Sequence, residues 1–445
     1  MIAQERLDSV ASRMRTDLSI SNNRRLPAFR AGLRITRLPA FCVSGFYVGA
    51  ALLLPLASLS QSKGGCDGAG DLRRSCYLGD QVCTSCHKEQ SLPYLHTAHH
   101  LTSSLPSKDS IPGSFEEPTN TLKIQEPAPA IGDPGLTYKM TAKDRHFFVT
   151  AITGFPGQFQ TRMESMDIVI GSGVRGQSYL YWQGDALFEL PVSYWSDGRQ
   201  WINSPGYRNG PPNFQRAAIP RCMECNVSYL KPLSPDPAAN RYDAATLVPG
   251  ISCETCHGPG AAHATLEQTG PSRSKRNSAI LNPAGFSRER QIDLCALCHS
   301  GAQQVALAPA FSYIPGTPLE SYLHPVTVTQ DTRPDVHANQ VGLLKKSRCF
   351  IASNTMTCST CHEVHAPERP AASYSAKCLS CHKVENCKTA MRLGAKVKSN
   401  CIDCHMPLQQ TQAIVSQTGD RIIRTTMRTH WIRVYTDEDS KNDGH

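Results

Sequence analysis

Aromatic side chains are scarce in this 445-residue chain: Phe, Trp and Tyr together make up 7%, only 4 residues are Trp, and the whole hydrophobic fraction is 40%. The length leaves room for two or three ordinary domains. So lean a stock of apolar residues does not furnish them with large aliphatic cores, and 31 Gly with 31 Pro imply many turns and loops. Charge of one sign is not in great excess either. The formal net charge is +9, but the first 60 residues hold 8 Arg against 3 acids, so the remainder carries only +4. That balance leaves no strongly basic face of the kind that reads as nucleic-acid binding. Internal repeats of fixed period are absent, which excludes a solenoid. Something other than a large aliphatic core should hold the chain together.

Cysteine is plentiful, with 19 residues, and most fall in C-x-x-C pairs followed at once by His. The series is Cys83/Cys86/His87, Cys253/Cys256/His257, Cys295/Cys298/His299, Cys358/Cys361/His362, Cys378/Cys381/His382 and Cys401/Cys404/His405. Random placement at this composition gives about 0.03 such motifs, and C-x-x-C-H is the attachment signature of c-type haem. Thiols at i and i+3 lie on one face of a helical turn. Both can bond to the vinyl groups along one haem edge while the His at i+4 presents its imidazole to the iron. His87, His257, His299, His362, His382 and His405 therefore take the proximal role. Zinc is the competing chemistry, because C-x-x-C is also half a zinc site. Zinc does not require His immediately after every pair, so haem is the stronger reading. Two propionates per haem would bring the mature protein near neutral or acidic.

A second axial ligand decides what such a haem does. A second His gives a closed, low-spin haem suited to electron transfer, and an empty position gives a reactive one. Ten His lie outside the motifs. His96, His99 and His100 in HTAHH, His263, His337, His365 and His430 are the candidate distal ligands, since the irons need partners. His146, His324 and His445 read as surface or hydrogen-bonded residues. Met406 directly follows a proximal His and reads as packing.

One pair departs from the pattern. Cys222-Met-Glu-Cys225-Asn226 has the thiols but Asn where the others have His. Either no haem is bound and the thiols form a small disulfide, which is the preferred reading, or a seventh haem sits there with a weak or empty axial position.

Residues 1–60 carry Arg24, Arg25, Arg30, Arg34 and Arg37 ahead of an uncharged stretch, 38–59. This reads as a signal peptide with small residues at Ser58-Leu59-Ser60, or as an uncleaved N-terminal membrane anchor. Arg24-Arg25 reads as ordinary charge of the leader, since haem is attached after an unfolded chain is exported. Cys42 within the stretch is lost or inert. Export permits disulfides, with Cys66–Cys76 and Cys349–Cys387 as candidate pairs.

Residues 61–135 form an N-terminal haem segment ending in a Pro/Ser-rich loop. Residues 136–205 hold β-type runs, with Gln183-Gly184-Asp185 as a hairpin turn, and read as a small antiparallel β insertion. Haem binding resumes over 206–265. A linker and the third intact motif fill 266–330, with a helix starting near Ser287. Residues 331–445 form a C-terminal haem cluster and tail.

The stretches CTSCHKEQ with HTAHH, RCMEC, SCETCHGPGAAH, DLCALCHS, VHANQVGLLKKSRCF, TCSTCHEVH, KCLSCH, NCIDCHMP and THWI resemble the multihaem c-type cytochrome family with doubled C-x-x-C-H motifs. That family is related to the tetrahaem cytochrome that accepts electrons from hydroxylamine oxidoreductase. The resemblance runs from about Tyr77 to Val434. It implies a mostly α-helical, loop-rich fold around closely stacked haems, and His263, His337, His365 and His430 with one or more of His96, His99 and His100 as distal ligands. It also implies a haem at Cys222 and Cys225, where relatives have His in place of Asn226.

The expected activity is electron transfer through about six haem c groups, mostly with two His ligands, in the periplasm or on the outer face of the cytoplasmic membrane. Expected partners are other redox proteins or membrane quinol and electron-transfer complexes, and not nucleic acid. The alternative is a reductase or oxidase of a small nitrogen or sulfur compound at one open haem. The C-x-x-C-K motif of pentahaem nitrite reductase is absent, which weighs against it. A haem protein that docks structurally to a membrane complex is a third reading.

Overall fold

Alternation of buried and exposed positions with a period of two dominates the middle of the chain. Leu136–Lys143 (β3) and His146–Phe155 (β4) bury Leu136, Tyr138 and Met140, and Phe147, Val149 and Ala151, on one face. With Thr121–Gln125 (β2) and Gln158–Ser165 (β5) they form an antiparallel four-stranded sheet in the order β2-β3-β4-β5. The computed structural model describes residues 76–269, 279–301, 304–325, 339–367 and 369–436. These all fall in one compact unit. The N-terminal leader and Cys42, Cys66, His337 and His445 lie outside the described residues.

A second, six-stranded sheet lies against the first. Its order is Ser103–Ser104 (β1), Ile168–Ile170 (β6), Gly176–Gln183 (β7), Ala186–Trp195 (β8) and Arg216–Ala217 (β10), with Gln200–Asn203 (β9) also on β8. The β7–β8 turn is Gly184-Asp185, and Gly184 takes the positive φ of 64° that the turn requires. Between the sheets Tyr138, Met140, Phe147 and Val149 meet Val169, Tyr179, Tyr181, Val192 and Trp201. The scarce aromatics are thus concentrated here, where each contributes about 1.5–3 kcal/mol by burial.

The six-stranded sheet is buried on its other face as well. Ile168, Leu180 and Leu187 pack against Met223, Val227, Leu230 and Tyr242. Met223 belongs to Pro220–Glu224 (α3), and Val227–Pro232 (β11) pairs with Tyr242–Pro249 (β12). The Cys222/Cys225 segment is therefore seated directly on the sandwich. A third cluster joins Ile292, Ala296 and Leu297 of Arg288–His299 (α6) to Tyr313, Tyr322, Val341 and Phe350. Ser287 accepts a hydrogen bond from Arg290 N and caps α6 at its start. The hairpin of Leu408–Thr418 (β15) and Arg421–Arg428 (β16) is fastened to the sandwich, where Asn203 N donates to Thr418 Oγ1 at 3.0 Å and Ser416 Oγ donates to Asn203 O at 2.5 Å.

The expectation of a mostly α-helical fold with a small β insertion over 136–205 is overturned. Strand residues are at least as abundant as helical ones, in five sheets. The longest α-helix described, α6, has 12 residues. The sandwich begins in the stretch read as a Pro/Ser-rich loop, where Thr121–Gln125 buries only Leu122 and Ile124, and it runs on to β10. The physical reason lies in the motifs. A C-x-x-C-H motif needs only about one helical turn to bring two thiols and one imidazole together, so it does not call for long helices, and much of the packing core is left to strands. Among the described residues no helix is long and apolar enough to cross a membrane.

Candidate metal centres

Five residues build each motif, and the backbone shows how. His87 N donates to Cys83 O at 2.8 Å, His362 N to Cys358 O at 2.9 Å and His382 N to Cys378 O at 3.0 Å. Each is the single helical bond that closes the turn and sets the thiols beside the imidazole. The turns are Asp80–Cys86 (α1), Cys253–His257 (α4), the end of α6, a 3-10 turn at Cys358–Thr360, the end of Ala371–Leu379 (α9) and Cys401–His405 (α11). Motifs remote in sequence then meet thiol to thiol: Cys83 with Cys253, and Cys295 with Cys358.

Opposite four motif histidines stands a second imidazole. The ring centroids of His87 and His263 are 6.2 Å apart with 23° between planes. His257 and His365 are 6.0 Å apart at 21°, and His362 and His430 are 6.1 Å apart at 22°. His99 and His299 are 6.0 Å apart with the rings turned 73°. A metal–imidazole bond is about 2.0 Å and the ring centre lies about 1.2 Å behind the nitrogen, so two imidazoles across one metal have centroids about 6.4 Å apart. The four separations are compatible with that span.

Hydrogen bonds fix which nitrogen faces the gap. A carbonyl only accepts, so His257 Nδ1 donates to Leu281 O at 2.9 Å and His405 Nδ1 donates to Arg433 O at 2.9 Å. Nε2 is left with its lone pair, as in metal sites whose ligands are oriented from behind. His299 Nδ1 lies 3.3 Å from Gln340 Oε1, and His430 Nδ1 lies 3.3 Å from Arg428 O. His263 Nδ1 is buried without a hydrogen-bond partner, an orphan that a group in the gap would explain. Burial first, and then the neighbouring His362 imidazole, lower the His430 pKa to about 4. That ring is therefore neutral and able to donate a lone pair. Thiol pairs and facing neutral imidazoles together fit haem c. No three Cys, His, Asp or Glu side chains converge as a metal-binding cluster among the described residues, so the zinc alternative finds no donor set there.

Other expected ligands are placed differently. His100 lies against Asp80, with Nδ1 3.3 Å from Oδ2, and its ring meets the edge of Tyr94. His96 is exposed and faces no ring, and His382 and His405 face no second imidazole among the described residues. His146 and His324 are exposed strand positions. The Cys349–Cys387 disulfide is not formed and both thiols are free. Cys349 lies instead near Cys361 and Cys378, because Phe350 O, one residue on, is held by Arg288 at the start of α6. Cys76 is disulfide-bonded; its candidate partner Cys66 is not among the described residues.

Several residues that position the motifs had no sequence signal. Glu254, 1% exposed, accepts from Leu78 N, Gly79 N and Gly260 N at 2.8–3.0 Å. Asp80 accepts from Cys253 N at 2.9 Å. These carboxylates lock the first motif to the motif at 253–257. Ser103 and Ser228, both buried, tie 226, 250 and 252 together through Asn226 O, Gly250 N and O and Ser252 N. Acids and serines at such places look like ordinary surface residues until the fold brings their partners.

Residues 205–258, spanning both the Cys222/Cys225 pair and the Cys253/Cys256/His257 motif, match the family model described as cytochrome c554 and c-prime. No curated protein matches. Among solved structures the chain is similar to an outer cell wall cytochrome, OcwA, at 18% identity and a TM-score of 0.52, covering 83% of this chain and 82% of that one. That likeness is one of fold.

Proposed function

We propose that this chain is an exported multihaem c-type cytochrome that carries electrons through six covalently bound haems. The observation that carries the reading is the set of four imidazole pairs, each joining a motif His to a His from a distant segment across about 6 Å. Bound haem supplies a one-electron Fe(III)/Fe(II) couple. The chain's own part is structural. The thiols of the six motifs would tether the rings, with His87, His257, His299, His362, His382 and His405 as ligands to the irons. His263, His365, His99 and His430 would be the second ligands of four of them and would keep exogenous ligands out. The backbone carbonyls of Leu281 and Arg433 keep the protons of His257 and His405 on Nδ1.

The thiol contacts between motifs support electron passage, since motifs remote in sequence that meet would hold their haems close together. The leader at 1–60 and the chemistry of haem attachment support export to the periplasm or the outer face of the cytoplasmic membrane, where other redox proteins or membrane quinol complexes are the partners. The test is intact mass for covalent haem together with the electron paramagnetic resonance spectrum of the oxidised protein. Six or more haems with most of the signal low-spin is the expected result. Fewer than four low-spin haems per chain sinks the reading.

A further inference from the structure

The Cys222/Cys225 pair behaves in the fold as the haem motifs do, although it lacks their His. Cys225 meets Cys298 thiol to thiol, the relation that joins Cys83 to Cys253 and Cys295 to Cys358. The segment is clamped to the motif at 295–299. Arg221 donates to Leu297 O and, at 2.9 Å, to Gln304 Oε1, and forms an ion pair at 2.8 Å with the buried Glu224. Glu224 in turn accepts from Phe311 N at 2.5 Å and from the Tyr322 hydroxyl. Cys222 is exposed, as are Cys86, Cys381 and Cys404 of the intact motifs. Cys222 and Cys225 are both free thiols, as are the cysteines of the six intact motifs, so neither is withdrawn from attachment by a disulfide.

Asn226 does not replace the missing imidazole. Its Nδ2 donates to Cys222 O at 2.8 Å, its Oδ1 accepts from the Thr102 hydroxyl at 3.3 Å, and its carbonyl accepts from Ser103 Oγ at 2.7 Å. Both side-chain atoms are committed to the chain itself.

We propose that Cys222 and Cys225 tether a seventh haem whose iron takes no side chain from its own motif, leaving one axial face open to a small diatomic or anionic ligand. The inference rests on the haem reading above. It reverses the preference, drawn from sequence, for an empty pair. Attachment needs no outside oxidant or reductant. Each thiol adds across a vinyl group, so that a carbon–sulfur bond forms, the S–H bond breaks and its hydrogen ends on the neighbouring vinyl carbon. With that face open, this haem offers a place where a small nitrogen or sulfur compound would bind.

The experiment compares the wild-type holoprotein with Cys222→Ala/Cys225→Ala and Asn226→His, reading intact mass, the high-spin resonance signal and the optical change on adding nitric oxide. The expected results are seven haems in the wild type, six in the double variant with a high-spin signal smaller by about one haem, and seven in Asn226→His with that same signal changed in line shape and the optical change with nitric oxide altered, because an imidazole then ligates the iron. Six haems in both the wild type and the double variant overturn the proposal and leave the carrier reading standing. Asn226→His rising from six to seven also overturns it, because the slot would then exist but go unfilled in the native chain. No covalent haem at all sinks the carrier reading and the proposal together.

Discussion

His362 and His430 come from different ends of the C-terminal segment, yet their imidazoles lie 6.1 Å apart and 22° from parallel. His362 closes a motif turn. His430 follows β16, and its carbonyl accepts from Ser347 Oγ at 3.0 Å, while Ser347 Oγ accepts from Ile432 N at 2.7 Å. Ser347 is fully buried, so the tail is pinned where the ring is needed.

Replacing His430 with Gly should open the far face of the haem at Cys358 and Cys361 alone. One haem per chain is expected to turn high-spin in the resonance spectrum, and added imidazole should return it to low-spin. No change in spin state would show that His430 is not a ligand.

Glu254→Ala should leave three backbone N–H groups at Leu78, Gly79 and Gly260 without their acceptor. The expected loss is about 2–4 kcal/mol, read as a lower denaturant midpoint of the holoprotein. Glu254→Gln keeps one acceptor oxygen and should lose less. Equal stability of Glu254→Ala and wild type would remove the carboxylate from the account.

Gly250 has φ of +69°, and a Cβ there would lie 2.0 Å from His100 O. Gly250→Ala should therefore cost at least about 2 kcal/mol and loosen the junction between the 99–103 and 250–257 segments. Thermal melting measures the first effect. On the proposed ligation by His99 and His299, the low-spin signal of that haem would report the second, since Ile251 N donates to His99 O at 3.0 Å.

Alkylation of the native holoprotein should modify Cys387 before Cys349. The hydrogen bond to Thr389, at 3.2 Å, lowers the Cys387 thiol below its ordinary pKa, so a larger fraction is thiolate at neutral pH. Peptide mapping after brief treatment with iodoacetamide decides the order. Labelling of Cys349 first would contradict that order, and labelling of neither would contradict the free-thiol assignment.

The local geometry of the motifs was legible residue by residue, because the two thiols and the following His of each lie within one turn, and their spacing sets that turn. The distal set was legible only as a pool. His99 and His100 are neighbours in HTAHH, and nothing local says that His99 faces His299 while His100 turns to Asp80. The sandwich was read too small, because β2 exposes alternate residues and sits in a stretch rich in Pro and Ser, so its strand pattern shows only once β3 is beside it.

By itself, then, the sequence determined the six intact motifs, the deviant Asn226 and the lean stock of aromatics, all of them properties of adjacent residues or of composition. Tertiary structure alone decided which imidazoles face each other, which thiols touch, that Glu254 and Asp80 join two motifs, and that strands supply the core. Each of these is a contact between residues far apart in the chain, and spacing along a chain carries no information about a distance that only folding sets.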